Sequence, residues 1–239
     1  MRKAGHITAL ALKAAEAVIR PGVTTLEIDH AVRKAIADAG AKPSFLGYGG
    51  FPASACVSIN EEVIHGIPSN RKVHEGDIVK IDVGAFIDGF HGDSARTFPV
   101  GKISDEAQKL IDVTRQSFYE GIKYARVGYR VSDISHAIQE YAERHGYGVV
   151  RQFVGHGIGA KLHDDPEVPN FGQPGHGPRL LPGMTLAIEP MINVGTHEVD
   201  ILSDQWTVVT RDKSLSAHYE HTILITSGDP ELLTSCGDE

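Results

Sequence analysis

Only two cysteines occur in the 239 residues, Cys56 and Cys236, and they lie far apart. That excludes a disulfide-stapled framework and leaves a reduced, cytoplasmic protein as the simplest expectation. Basic residues are outnumbered 23 to 31, for a formal net charge of -8. Such a chain lacks the positive surface that nucleic acid or an anionic membrane would need. No apolar run is long enough to span a bilayer. The opening stretch, MRKAGHITALALKAAEAVIR, has a basic start and an apolar middle, but Lys13 and Glu16 interrupt it. Its pattern is that of an amphipathic helix and not of a signal peptide. No block of like charge, linker or low-complexity stretch divides the chain. One domain across 1–239 is therefore expected, large enough to bury roughly 70% or more of its unfolded surface.

Several catalytic frames are also missing. Ser58, Ser94 and Ser216 lack a G-x-S-x-G setting. There is no P-loop, and GHGIGA resembles a dinucleotide fingerprint only loosely, without the strand–turn–helix context. The zinc-protease pattern H-E-x-x-H is absent. What is present is a set of four acids and a histidine, each in a short Gly-, Pro- or strand-like frame. They are Asp82 in KIDVG, Asp93 in HGDSAR, His156 in GHGIG, Glu189 in AIEPM and Glu220 in HYEHT. Any one of these acids alone reads as ordinary surface charge. Together, hard oxygen ligands and one imidazole suit two adjacent divalent cations, whose charges four carboxylates balance. Without metal, four like charges in one cleft would repel, and some would take up protons. The set reads as a two-metal hydrolytic centre.

The chain also repeats itself. RPGVTTLEIDHA from Arg20 and RVGYRVSDISHA from Arg126 share Arg, Gly, Ile, His and Ala at an offset of 106, and Gly40 and Gly146 continue the register. EGDIVKID from Glu75 and PGMTLAIE from Pro182 match at an offset of 107, pairing Asp82 with Glu189. Two pseudo-symmetric halves are expected, about 1–103 and 104–239. Each reads helix, helix, strands, an α+β pattern. Helices are expected over about 2–20 and 104–125, with Thr25 and Ser132 capping the next helices and Gly40 and Gly146 ending them. IVKIDVGAFI, TLAIEPMINV, WTVVT and HTILIT read as strands.

Asp88-Gly89 is a hairpin turn signal between two strand-like runs. With those two residues as the turn, Ile87 pairs with Phe90 and Gly84 with Asp93. Asp82 then becomes the diagonal neighbour of Asp93 on one face, within about 7–8 Å. That spacing lets both carboxylates reach one metal. The glycines flanking His156 suit a close approach of backbone to a ligand. Alternation from Glu220 in YEHTILIT puts Glu220 and Thr222 on one face. His65 and His163 are assigned to substrate contact and not to metal.

At these residues the chain resembles the type I methionine aminopeptidases over nearly its whole length. SINEEVIHGIP, KIDVGAFIDGFHGDSART, GHGIGAKLHDDP, PGMTLAIEPM and WTVVTRDKSLSAHYEHTI match that family's motifs in order and spacing. The resemblance implies the pita-bread fold, two pseudo-symmetric halves with a curved antiparallel sheet covered by helices around a dinuclear site. It implies that Asp82 binds one metal, His156 and Glu189 the other, and that Asp93 and Glu220 bridge. It also implies removal of the initiator methionine from new chains with a small second residue. Cobalt, manganese, iron and zinc are all compatible with the ligand set. In this reading Glu189 shuttles the proton, His163 donates to the oxyanion and His65 holds the peptide. The implied partner is a peptide or nascent-chain N-terminus. A transient ribosome contact is compatible with that, while a direct nucleic-acid site is not expected, and a monomer is.

The family's methionine pocket maps onto Tyr48, Phe51, Cys56, Leu162 and Trp206, with His65 and His163 facing the substrate. An aromatic-rimmed pocket with a thiol suits a flexible, polarizable thioether. Three residues depart from the commoner pattern: Leu162 where an aromatic is frequent, Phe51 where tyrosine is common, and Ile64 where cysteine is frequent. They bear on pocket shape. Met1 falls inside what looks like the family's first helix, so a turn or two of leading sequence is expected to be missing. Type II relatives carry a long insertion between the last two glutamates, and Glu189 and Glu220 are close here. Proline-specific peptidases share the fold and ligands but carry a further N-terminal domain. A binding protein that has lost catalysis would not be expected to keep all five ligand positions.

Overall fold

The computed structural model of the chain describes residues 1–236. Among them are four α-helices in two pairs: α1 (Arg2–Val18) with α2 (Thr25–Asp38), and α3 (Asp105–Ile122) with α4 (Val131–Arg144). In α1 the buried residues Ala4, Ile7, Ala11 and Ala15 recur every three or four positions, so one stripe faces inward. Most are small, which lets the helix axis come close to the strands beneath it. A Cβ added at Gly92 would lie 2.7 Å from the Gly5 backbone nitrogen, and Thr8 Oγ1 donates to the Gly92 carbonyl at 3.0 Å. Helix α1 is thus seated on the residue before Asp93.

The helix ends follow local chemistry, one to three residues from where the pattern alone puts them. Thr24, not Thr25, caps α2, and it forms a capping box with Glu27. Ser132 lies inside α4, where Arg130 is the cap and the Asp133 carboxylate accepts from its backbone N–H. Ser132 instead donates to the His176 carbonyl. Gly40 and Gly146 follow α2 and α4 with φ of 73° and 84°, the left-handed turn glycine tolerates best. Helices α1 and α3 end two and three residues short of the expected points.

Among the described residues the strands pair antiparallel in four hydrogen-bonded sheets. One is built on Ile78–Ile87, flanked by Phe90–Pro99 on one side and by Ala55–Ile59 and Lys42–Pro43 on the other. A second, of five strands, runs in the order Glu231–Leu232, His221–Leu224, Thr185–Ile188, Gly155–Gly157, Asp164–Val168. Two three-stranded sheets complete the set. TLAIEPMINV is two strands, Thr185–Ile188 and Met191–Asn193, because Pro190 interrupts the ladder.

Helices α1 and α2 cover the first sheet through Ile28, Ile36, Val57, Ile81 and Val83. Helices α3 and α4 cover the second through Phe118, Ile134, Ile138, Leu186 and Ile223. Full burial of each such side chain contributes about 1.5–3 kcal/mol. Equivalent backbone features recur in the two halves. Gly22 and Gly128 have φ of 90° and 100°, and Gly76 and Gly183 have 92° and 94°. The isolated bridges Thr24–Lys72 and Arg130–Arg179 occupy matching places. No helix among the described residues is long and apolar enough to cross a membrane.

Candidate metal centre

The hairpin places the first two acids. Asp88 and Gly89 both have positive φ, 53° and 84°, as a two-residue type I′ turn requires. Ile87 pairs with Phe90, Gly84 with Asp93 and Asp82 with Ala95, the register the turn chemistry predicts. Asp82 and Asp93 are therefore diagonal neighbours on one face. Cys56 lies opposite Asp82 on the other side. Burial and the neighbouring carboxylates push its thiol pKa well up, so it stays a neutral thiol.

Three further strands bring the rest. His156 pairs with Ala187, and Ile188 with His221, so Glu189 and Glu220 emerge side by side from adjacent strand ends. The glycines around His156 serve a different purpose from the one expected. A Cβ at Gly155 would meet the Ala187 carbonyl at 2.3 Å, and one at Gly157 the Asp165 carbonyl at 2.1 Å. They let neighbouring strands close in on both sides of the histidine. His156 Nδ1 is 2.9 Å from the Gly157 carbonyl, so with Nδ1–H as donor, Nε2 is left free as a ligand.

Two clamps join the first sheet to the second at the site. Thr222 Oγ1 donates to the Asp93 carbonyl at 2.8 Å and accepts from the Asp93 N–H at 3.0 Å. Ser94 Oγ and Arg96 Nη1 donate to the Glu220 carbonyl at 2.6 and 2.5 Å. Behind Glu189, Asn170 Nδ2 donates to its carbonyl at 3.0 Å.

Asp93, His156 and Glu220 are buried and offer ligand atoms within 4.8 Å of one another. His156 Nε2 stands 3.6 Å from Glu189 Oε1 and 4.0 Å from Asp93 Oδ2. Asp82 Oδ1, Asp93 Oδ1 and Glu220 Oε1 are buried with no hydrogen-bond partner. Burial raises the Asp82 pKa to about 7. Burial first, then repulsion from the other acids, pushes Asp93, Glu189 and Glu220 well above the usual carboxylate range. His156 is lowered to about 4 by burial and by His163, so it is neutral and fit to ligate at physiological pH. Orphaned carboxylate oxygens and a free imidazole nitrogen are what a bound dication would satisfy.

The carboxylates form the floor of a cavity of about 230 Å³. Its lining includes all five of these residues together with Tyr48, Phe51, Cys56, His65, Leu162, His163 and Trp206. Phe51 packs edge-on against Trp206 with ring centroids 5.1 Å apart. His65 is held with φ of 59°, strained for a residue with a Cβ, and packs edge-on against Phe153 at 5.7 Å. Burial lowers its pKa to about 4. Tyr48 does more than line the wall, because its hydroxyl sits 2.7 Å from His163 Nδ1. A larger cleft of about 500 Å³ between α1 and α3 contains none of the five acid and histidine residues, so size alone does not locate the site.

The sequence matches metallopeptidase family M24 over residues 1–227. This chain belongs to that family. It is 58% identical over 237 residues to a methionine aminopeptidase from Clostridium acetobutylicum, covering 99% of this chain and 95% of that protein. A crystal structure of a methionine aminopeptidase from Thermotoga maritima superposes with a TM-score of 0.97 at 47% identity, covering 98% of this chain and 95% of that one. A prolidase from Pyrococcus furiosus shares the fold, with a TM-score of 0.80 at 24% identity, and this chain covers 62% of it. The pita-bread fold follows, and with it a dependence on divalent metal that the buried acids and His156 can meet.

Sequence reasoning missed residues that shape the site without bearing obvious chemistry. Phe45, Gly49, Phe153 and Val154 also line the cavity, while Asn170 bonds the Glu189 carbonyl and His218 faces the Glu189 carboxyl from behind. Alternation back from Glu220 points to His218. Phe45 and Phe153 carry no comparable local signal.

Proposed function

We propose that this chain is a metal-dependent aminopeptidase that removes the N-terminal methionine from peptides and nascent chains whose second residue is small. One observation carries the reading: four carboxylates, Asp93 and Glu220 buried and Asp82 and Glu189 partly so, and a neutral histidine line one small cavity with Phe51, Cys56, Leu162 and Trp206. Sulfur and aromatic walls suit an unbranched thioether.

Two divalent cations are the occupants that best fit the set. Asp82 would hold one and His156 and Glu189 the other, with Asp93 and Glu220 available to both. Cobalt, manganese, iron and zinc all suit these donors. When bound, such ions polarise the scissile carbonyl and make water a better nucleophile. The protein's own groups do the rest. Glu189 accepts the proton of the attacking water and returns it to the leaving amine. His163, its Nδ1 occupied by Tyr48, donates from Nε2 to the developing oxyanion. His65 holds the peptide, and its ring with Phe153 crowds the position after the methionine, favouring a small second residue.

The protein is read as one catalytic domain over 1–239 with an internal repeat, working as a monomer in the cytoplasm and meeting nascent chains at the ribosome. The test is direct. Metal-free protein reloaded with manganese should cleave Met-Ala-Ser and leave a Xaa-Pro peptide intact. Cleavage of the Xaa-Pro peptide instead would assign a proline-specific peptidase, and turnover of neither would assign a binding protein.

A further inference from the structure

His218 has no part in the proposed chemistry, yet its surroundings are unusual. Its side chain is 1% exposed, and neither ring nitrogen has a hydrogen-bond partner. A buried polar atom left unpaired costs about 1–3 kcal/mol, so such a residue needs an explanation. The backbone that carries it is tightly held. The His218 N–H donates to Thr97 Oγ1 at 2.9 Å, and Thr97 Oγ1 donates to the His218 carbonyl at 2.9 Å. Across the sheet His218 pairs with Met191, two residues beyond Glu189.

The ring faces Glu189. His218 Nε2 is 3.8 Å from Glu189 Oε2, while Glu189 Oε1 is 3.6 Å from His156 Nε2. Both separations exceed a hydrogen bond. The Glu189 carboxyl is thus placed between two imidazoles, one oxygen toward each. Its backbone is fixed by Asn170 and by the following Pro190, so the orientation of the carboxyl plane is what remains to be set.

We infer that His218 is the positioning residue for Glu189: its Nε2–H donates to Glu189 Oε2 in the metal-loaded protein, turning the other oxygen toward the centre. The inference rests on the proposed role of Glu189 as ligand and proton acceptor. His218 is not part of the cavity wall, so it acts through Glu189 and not on the substrate. Groups that orient a metal ligand in this way typically carry about 10–100-fold in activity or metal affinity.

Three variants test it. His218→Leu removes the donor and keeps the bulk. His218→Gln keeps an N–H near the Nε2 position. His218→Asn keeps an N–H but withdraws it toward the Nδ1 position. Each is compared with wild type for kcat and KM on Met-Ala-Ser at saturating manganese, and for manganese affinity of the metal-free protein by calorimetry. The expected result is a loss of at least about tenfold in kcat and in affinity at one site for Leu and Asn, with KM nearly unchanged and Gln close to wild type. If Leu does not fold, the contrast between Gln and Asn decides. Wild-type values in all three variants, or equal losses in Gln and Asn, would overturn the inference. Glu189→Gln, measured in parallel, separates the two readings. If it loses activity and manganese while the His218 variants do not, the role of Glu189 stands and only that of His218 falls. If it loses neither, both fall.

Discussion

Tyr48 Oη and His163 Nδ1 lie 2.7 Å apart, although 115 residues separate them in the chain. With the phenol as donor, the imidazole must carry its own proton on Nε2, the nitrogen free to face a substrate carbonyl. Burial also lowers the His163 pKa, which keeps the ring neutral with a single N–H to place. Tyr48→Phe should therefore lower kcat by about 2–10-fold, the worth of one neutral hydrogen bond. His163→Ala should cost about 10²–10³. Steady-state kinetics at saturating metal check both, and a His163→Ala kcat within about threefold of wild type would remove His163 from the mechanism.

The diagonal placement of Asp82 and Asp93 predicts unequal effects on metal binding. Asp93 sits centrally, facing His156, and would bridge. Asp93→Ala should weaken binding at both sites, and Asp82→Ala mainly at one. Loss of a direct ligand should exceed the about 10–100-fold that losing a supporting residue costs. Calorimetric titration of the metal-free variants measures this. Wild-type stoichiometry and affinity in Asp93→Ala would sink the two-metal assignment.

The elevated carboxyl pKa values predict proton release on metal binding. Asp82, with a pKa of about 7, is mostly protonated at about pH 6, and burial and mutual repulsion push Asp93, Glu189 and Glu220 in the same direction. His156, lowered to about 4, is already neutral there and releases none. Manganese must displace the carboxyl protons, so apparent affinity should fall as pH drops from about 8 to 6. Calorimetry in two buffers of different ionisation enthalpy counts the protons. Binding at about pH 6 without proton release would contradict the burial argument.

Leu162 is buried and forms part of the cavity wall with Phe51 and Cys56. Leu162→Phe should tighten the pocket and change the preference for methionine over leucine or norleucine. One group in an apolar pocket is worth only about 1–3 kcal/mol, so the substrate class should persist. The comparison is kcat/KM on Met-Ala-Ser, Leu-Ala-Ser and Met-Lys-Ser for both proteins. Equal cleavage of leucine and methionine peptides by wild type would show that these residues do not form a methionine pocket.

What the sequence determined by itself was local. Asp88-Gly89 closes a two-residue turn that only one register satisfies, and that register alone puts Asp82 and Asp93 on one face. The helix-ending glycines Gly40 and Gly146 were legible for the same reason, since backbone conformation there depends on one or two residues. Tertiary structure decided the rest. His156, Glu189 and Glu220 meet the hairpin because Gly155–Gly157, Thr185–Ile188 and His221–Leu224 lie side by side, an order no periodicity encodes. The glycines around His156 turn out to admit neighbouring strands, and Tyr48 reaches His163 across the cavity rim. Thr222 acquires its contact with Asp93 only once the two sheets dock, and His218 comes to face Glu189 because its strand pairs with Met191–Asn193. Hydrogen bonds between distant segments depend on how sheets stack, and stacking is set by buried apolar surface that many sequences could supply.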